Sequence, residues 1–389
     1  MKKIFLIIGV LLSMTTNSFS IIALMTEYTC PIGGEKFKTH FILPQCPTNK
    51  FVMFKREFTK EELEKYEKII NSKEYKSIPK NPSEHYYLAK FYELAGGFSD
   101  IEIGKAYYNA YNKLAFYGYK KNESLIKEAL TKGISHLEKS LASRDKNDFP
   151  WDLAYLYVYN KEYDKVNLLM EKQDKSLHLE RIANFYYSIS DTGRVEENNK
   201  IYKIDDQKAK KDFRKKALYY LQELSKKNSE PYLEEILLIR QAILHKSLGD
   251  TKSLDELFSK TPSEYWTSVI LFYLDEPENN IGKVFNEKNP ATEEDLKKAL
   301  TYAEKLVKVN EKNNKRDITE KNKYNHSLIL KAESERRLGK FEEASKTLSK
   351  INLKDIKETI YVYNFEKLKE LIEKKDSTVE KFFPPKIMY

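Results

Sequence analysis

The residues of this 389-residue chain whose types suit chemistry are two cysteines, six histidines, several paired acids and 28 tyrosines. The histidines stand at 40, 85, 136, 178, 245 and 326, at least 42 residues apart, so none has the local spacing of a zinc motif. No phosphate-cradling glycine loop and no Gly-x-Ser-x-Gly elbow occurs. Paired acids at Glu61-Glu62, Glu234-Glu235 and Glu293-Glu294-Asp295 fall where helices begin, and there the helix dipole favours negative charge without any catalysis. No catalytic residue, cofactor-binding residue or metal ligand is assigned. The expectation is a protein that is not an enzyme and needs no cofactor.

Tyrosine is the richer signal. Tyr107-Tyr108, Tyr111, Tyr155, Tyr157, Tyr159, Tyr186-Tyr187 and Tyr219-Tyr220 exceed what one buried stripe requires. Rigid amphipathic rings make good binding anchors. With Asn109 and Asn112 beside them, Tyr108, Tyr111, Tyr157 and Tyr187 form the candidate groove, suited to an acidic peptide, a carboxyl terminus or a glycan. Residue by residue, core packing is the simpler role for each ring.

The elements that position these side chains read as helices. Only 12 Gly and 12 Pro, with abundant Lys, Glu and Leu, favour that class. The net charge of +9 is spread over segments of mixed sign, and the longest basic run, Lys208 to Lys216, is interrupted by acidic and apolar residues. This pattern describes a solvated helical surface and not a nucleic-acid footprint. Thr59 with Glu62 is a capping box, Phe58 being placed to staple Leu63. Asn81-Pro82-Ser83-Glu84 and Thr261-Pro262-Ser263-Glu264 each read as a cap, a first-turn proline and a returning Glu.

Leu328 to Ile351 reads as two helices folded back around Leu338-Gly339. Leu328 and Ala332 share one face, while Phe341, Ala344, Leu348 and Ile351 make the apolar stripe of the second helix. This stretch resembles a tetratricopeptide (TPR or Sel1-like) repeat, with Glu335 where that family usually carries Tyr. Looser copies centre on Ala89 with Gly96, on Ala154 with Lys161 at the turn, on Ala183, and on Ala242 with Gly249. The repeat-turn set is Gly96, Gly249, Gly339, Phe341 and Ala344. The resemblance implies an all-α, irregular TPR-like α-solenoid of helical hairpins over 58–375, followed by a tail over 376–389.

Residues 1–20 read as a secretory signal: Lys2-Lys3, the apolar run Ile4 to Leu12, and small residues preceding cleavage after Ser20. No later segment approaches eighteen consecutive apolar residues, so no transmembrane segment is expected in the mature chain. The 21–57 segment carries two Cys-Pro turns, Cys30-Pro31 and Cys46-Pro47, each followed by a short strand-like run. It is similar to a zinc ribbon that keeps one cysteine per knuckle, with Gly33 and Asn49 in the other places, and to the start of the bacterial domain of unknown function 2225. Two thiolates are too few for structural zinc. In an exported protein, two cysteines on facing knuckles are expected to form a disulfide within a small β-hairpin module.

The resulting expectation is a periplasmic or secreted scaffold that recognises another envelope or secreted protein or peptide through the Tyr/Lys-rich groove. The alternatives are an envelope glycan-binding protein or glycan-acting enzyme using that groove, and an exported factor acting on a host.

Overall fold

A computed structural model describes residues 25–40, 43–79, 82–116, 122–190, 204, 206–227, 230–274, 291–312, 317–351 and 359–378. The signal segment, Asn81, the polar connection read at 275–290 and residues 379–389 of the tail lie outside them. The polar connection read at 203–211 is corrected, since the helix Gln207–Lys227 already runs through its second half. The fold is all-α, preceded by a small disulfide-linked β-hairpin. Two compact units divide the chain, Met1–Gln173 and Asp174–Tyr389, a division that falls inside the 58–375 helical region.

Strand β1 (Thr26–Thr29) pairs antiparallel with β2 (Lys36–Thr39), Tyr28 facing Phe37. The strands flank the first Cys-Pro knuckle on both sides instead of only following it. Both knuckles repeat one backbone pattern. The Cys30 and Cys46 N–H groups donate to the Glu35 and Phe51 carbonyls (both 2.8 Å), and the Gly34 and Lys50 N–H groups return to the cysteine carbonyls (both 3.1 Å). Such turns need positive φ, which Gly34 adopts easily and Lys50 adopts at φ 62°. Cys30 and Cys46 are joined, with 5.7 Å between Cα atoms. Asn49, at the vacated ligand position, donates to the Ile32 carbonyl at 2.7 Å. Behind the knuckles, the Phe51 ring packs against Phe54, Phe58, Tyr66 and Phe91, joining the module to the first helices.

The first unit continues with α1 (Lys60–Ile70), α2 (Lys73–Lys76), α3 (Glu84–Ala95), α4 (Asp100–Phe116), α5 (Glu123–Ser140), α6 (Trp151–Tyr159) and α7 (Tyr163–Glu171). The capping box at Thr59 and Glu62 is present. The start of α3 differs from the expectation: Ser83 is the cap and Pro82 precedes it. Gly104 on α4 and Gly133 on α5 let these helices approach closely. A Cβ on Gly104 would lie 2.6 Å from Leu137 Cγ, and one on Gly133 would lie 2.8 Å from Leu156 Cδ1.

In the second unit come α8 (Lys175–Ser190), α9 (Gln207–Lys227), α10 (Pro231–Leu248), α11 (Thr251–Ser259), α12 (Trp266–Tyr273), α13 (Glu293–Glu311), α14 (Ile318–Arg337), α15 (Phe341–Leu348) and α16 (Thr359–Glu373). Pro231 occupies the first turn of α10. The Thr261 grammar does not hold: a short 3-10 turn, Ser263–Tyr265, leads into α12, and the Thr261 hydroxyl donates backward to the Leu257 carbonyl at 3.0 Å. One core gathers Leu328, Ile329, Ala332, Ala344, Leu348 and Phe365, and another gathers Ala242, Leu254, Phe258, Val269 and Ala303.

Lys161, Gly249 and Gly339 share one turn geometry, with φ of 60°, 72° and 74°. Each N–H donates three residues back, and the next N–H donates five back, which ends the preceding helix. Seven residues before each turn stands a fully buried alanine: Ala154, Ala242 and Ala332. Five residues after it stand Val166, Leu254 and Ala344, all buried. Gly96 (φ 63°, ψ 166°) closes α3 in a different conformation.

Candidate functional site

On α6, Trp151, Tyr155 and Tyr159 recur every four residues and therefore share a face, while Leu153, Ala154, Leu156 and Val158 fill the core. The three rings are half-buried. Trp151 and Tyr155 lie 6.1 Å apart with planes 17° from parallel, and Tyr155 and Tyr159 lie 6.3 Å apart at 18°. The series crosses to α4 through Tyr111, whose ring stacks on Tyr159 at 5.1 Å and 23°. Phe149 abuts Trp151 at 4.6 Å, and Phe116 lies 5.9 Å from both Tyr111 and Tyr159. Six aromatic side chains thus form a continuous ladder within the first unit. Burial pushes the Tyr111 phenol up to about 12, so it stays protonated and acts as an apolar ring with a hydrogen-bonding tip.

The groove anticipated from sequence is only partly assembled. On α4, Tyr108 and Asn112 are half-buried and Asn109 is exposed, while Tyr111 is buried within the ladder. Tyr157 faces the core, its hydroxyl donating to Glu138 Oε1 at 2.8 Å and Lys165 Nζ standing 5.3 Å over its ring. Tyr187 is buried on α8 of the second unit, beneath the Arg240 guanidinium at 4.9 Å. The buried faces of these helices claim Tyr157 and Tyr187 as core. Trp151, which sequence reasoning passed over, is ring one of the series. Its spacing of four from Tyr155 and Tyr159 was the available signal.

A second constellation joins α3, α4 and α5. Glu93 accepts from Lys132 Nζ at 2.7 Å and from the Tyr107 hydroxyl at 2.6 Å. Glu128 accepts from the Tyr86 hydroxyl at 2.8 Å and from Lys90 at 3.3 Å. His136 sits between carboxylates, Nδ1 2.6 Å from Asp100 Oδ1 and Nε2 3.4 Å from Glu93 Oε1. Burial raises both glutamates, but the lysine and tyrosine hydrogen bonds and the lysine charges outweigh it and hold them below the usual carboxylate range. Burial and the same carboxylates push the Tyr86 and Tyr107 phenols far up. Glu93 and Glu128 are thus fixed as anions and the phenols as neutral donors, which suits a locked network across three helices better than proton transfer near neutral pH. Glu128, Lys132 and His136 recur every four residues along α5, a stripe visible in sequence only as ordinary surface charge.

In the second unit the charge is buried outright. Glu333 accepts from Arg336 Nε and Nη2, both at 2.8 Å, and from Arg337 Nε at 2.6 Å. Arg337 also donates to the Leu274 carbonyl at 2.5 Å. Arg336 donates to the Asp376 carbonyl and, at 3.1 Å, to that of Thr378, so the described start of the tail docks back on α14. Glu335, at the place where the TPR resemblance leads one to look for Tyr, is satisfied by Lys331 and by the Thr347 hydroxyl at 2.7 Å.

Among the described residues no cluster of His, Cys, Asp or Glu has the makings of a metal site, and no helix is long and apolar enough to cross a membrane. No family model, curated protein or solved structure matches the chain.

Proposed function

We propose that this protein is a non-enzymatic, extracytoplasmic binding protein that holds a protein or peptide partner over the aromatic ladder of α6 and α4. The observation that carries the reading is the run of half-buried, near-parallel rings at Trp151, Tyr155 and Tyr159, continuous with Tyr111. Rings of this kind supply large contact area at low conformational cost, the usual property of binding hot spots. Asn109 and Asn112, on the same helix as Tyr111, supply amide donors and acceptors for a peptide backbone. The Cys30–Cys46 disulfide supports an oxidising compartment. A TPR-like relationship is favoured by the three equivalent turns at Lys161, Gly249 and Gly339.

Stacked aromatic surfaces also accommodate sugar rings, so glycan binding on the ladder is the second reading. Selection of a displayed peptide library against the full chain, run beside a glycan array, tests both. Enriched peptides whose affinity falls at least about tenfold in Trp151→Ala and Tyr155→Ala, with melting preserved, support the first reading. Enrichment confined to glycans supports the second, and binding indifferent to both substitutions defeats the ladder.

A further inference from the structure

Helix α9 concentrates positive charge, and several of its lysines form no ion pair among the described residues. Its 21 residues contain eight Lys or Arg and two acids, a net +6 against +9 for the whole chain. Phe213, Ala217, Tyr220 and Leu221 bury one face. Arg214 turns the same way and donates to the Ser190 and Ser247 carbonyls at 3.3 and 3.1 Å. On the opposite side Lys208, Lys211, Lys215, Tyr219, Gln222 and Lys226 recur at spacings of three and four, and all are exposed. The Tyr219 ring is 51% exposed in the middle of the row. Elsewhere in this unit lysines commonly meet carboxylates, as Lys246 does Asp295 and Lys298 does Asp255. On α9, Lys226 meets Glu223 at 2.6 Å, but Lys208, Lys210, Lys211, Lys215 and Lys227 form no ion pair among the described residues.

From this we infer that the exposed face of α9 is a docking surface for an anionic phospholipid bilayer. The row from Lys208 to Lys226 extends about 27 Å at the helical rise of about 1.5 Å per residue, along the solvent-facing side of one helix. A row of like charge on an open helix face fits a flat array of opposite charge. Lysine is a hydrated point charge suited to a diffuse headgroup layer. Bidentate phosphate recognition of the kind nucleic acids invite belongs to arginine, and the only arginine of α9 points inward. Clusters of four to eight basic residues on an amphipathic helix are the known signature of anionic-lipid attraction, and an exposed tyrosine suits the headgroup level. Attachment is peripheral, because the apolar face of α9 is already occupied by the core.

The test is co-sedimentation of the full chain with phosphatidylcholine vesicles, with and without about one-third phosphatidylglycerol, at low salt. The readout is the increment caused by the anionic lipid, which cancels any affinity of apolar segments for bilayers as such. The parent should partition onto anionic vesicles and be released at about 0.5 M salt. Lys208→Gln/Lys211→Gln/Lys215→Gln should lower the anionic increment about 100-fold, at roughly fivefold per lysine. A control triple at exposed Lys60, Lys297 and Lys346 should keep most of it. The inference is overturned by the absence of an increment in the parent, by equal loss in the two triples, or by tighter capture of single-stranded DNA than of vesicles.

Discussion

Tyr111 on α4 and Tyr159 on α6 stack at 5.1 Å with their planes 23° apart, so a core ring of one helix continues the half-buried series of another. The contact ties the proposed binding surface to the packing of the unit. Tyr111→Ala is therefore expected to cost about 3–5 kcal/mol of stability by opening a cavity, whereas Tyr155→Ala, at a half-buried position, should cost clearly less. Urea titration of the two variants checks the order.

The turn glycines separate two kinds of strain. Nothing lies within 4 Å of a Cβ built on Gly339, so Gly339→Ala pays only for φ of 74°, about 1–2 kcal/mol. Ala344→Leu, in the core beside Ala332, should cost about 1–3 kcal/mol by overpacking. Lys161 holds the same left-handed conformation with a side chain, so Lys161→Gly should raise the denaturation midpoint. Equal midpoints for all three variants and the parent would remove the turn interpretation.

These hairpins were legible because their signals are local. A glycine at a fixed distance from an alanine encodes a tight turn, and the Thr59 cap and the disulfide-linked cysteines are short-range patterns too. The turn at Lys161 obeys the same geometry under a residue that does not advertise it. The order of the site was harder to see. Whether Tyr157 or Tyr155 faces solvent depends on which side of α6 meets its neighbours, and nine residues of nearly continuous apolar and aromatic sequence do not mark that side. The Glu333–Arg336–Arg337 cluster was hidden for a related reason. Charges at i, i+3 and i+4 usually decorate a surface, and only tertiary packing buries them.

Removing Glu333 would leave two arginines in the interior with backbone carbonyl acceptors but without their carboxylate. Glu333→Ala is expected to destabilise by about 3–5 kcal/mol, the usual consequence of an uncompensated buried charge. Removing a charge by Lys346→Gln on the exposed face of α15 should be almost silent in the same thermal melt.

Burial pushes the His326 imidazole down to about 4. Above about pH 6.5 the ring is neutral in both folded and unfolded chains, and its burial carries no protonation penalty. As pH falls below 6.5 the unfolded chain takes up a proton that the folded chain refuses, so stability is lost towards pH 4, by about 3 kcal/mol. His326→Gln should flatten urea midpoints over that window relative to the parent. An equally steep decline in the variant would show that His326 is not responsible.

Reduction of the Cys30–Cys46 bond, or Cys30→Ala with Cys46→Ala, should cost about 3 kcal/mol in the chain-entropy picture of a short closed loop. The loss should register first in the knuckle module. Mass spectrometry of the native chain should give a Cys30–Cys46 cross-linked peptide, and thiols reactive without reductant would contradict the bond.

The binding claim is tested most directly by the fluorescence of Trp151. The chain has two tryptophans, and Trp266→Phe leaves Trp151 as the sole reporter, on the ladder itself. Titrating that variant with a peptide recovered from the display selection should give a saturable change in Trp151 emission, with a midpoint equal to the calorimetric Kd. Full calorimetric binding with no change in Trp151 emission would place the partner elsewhere on the molecule and contradict the account.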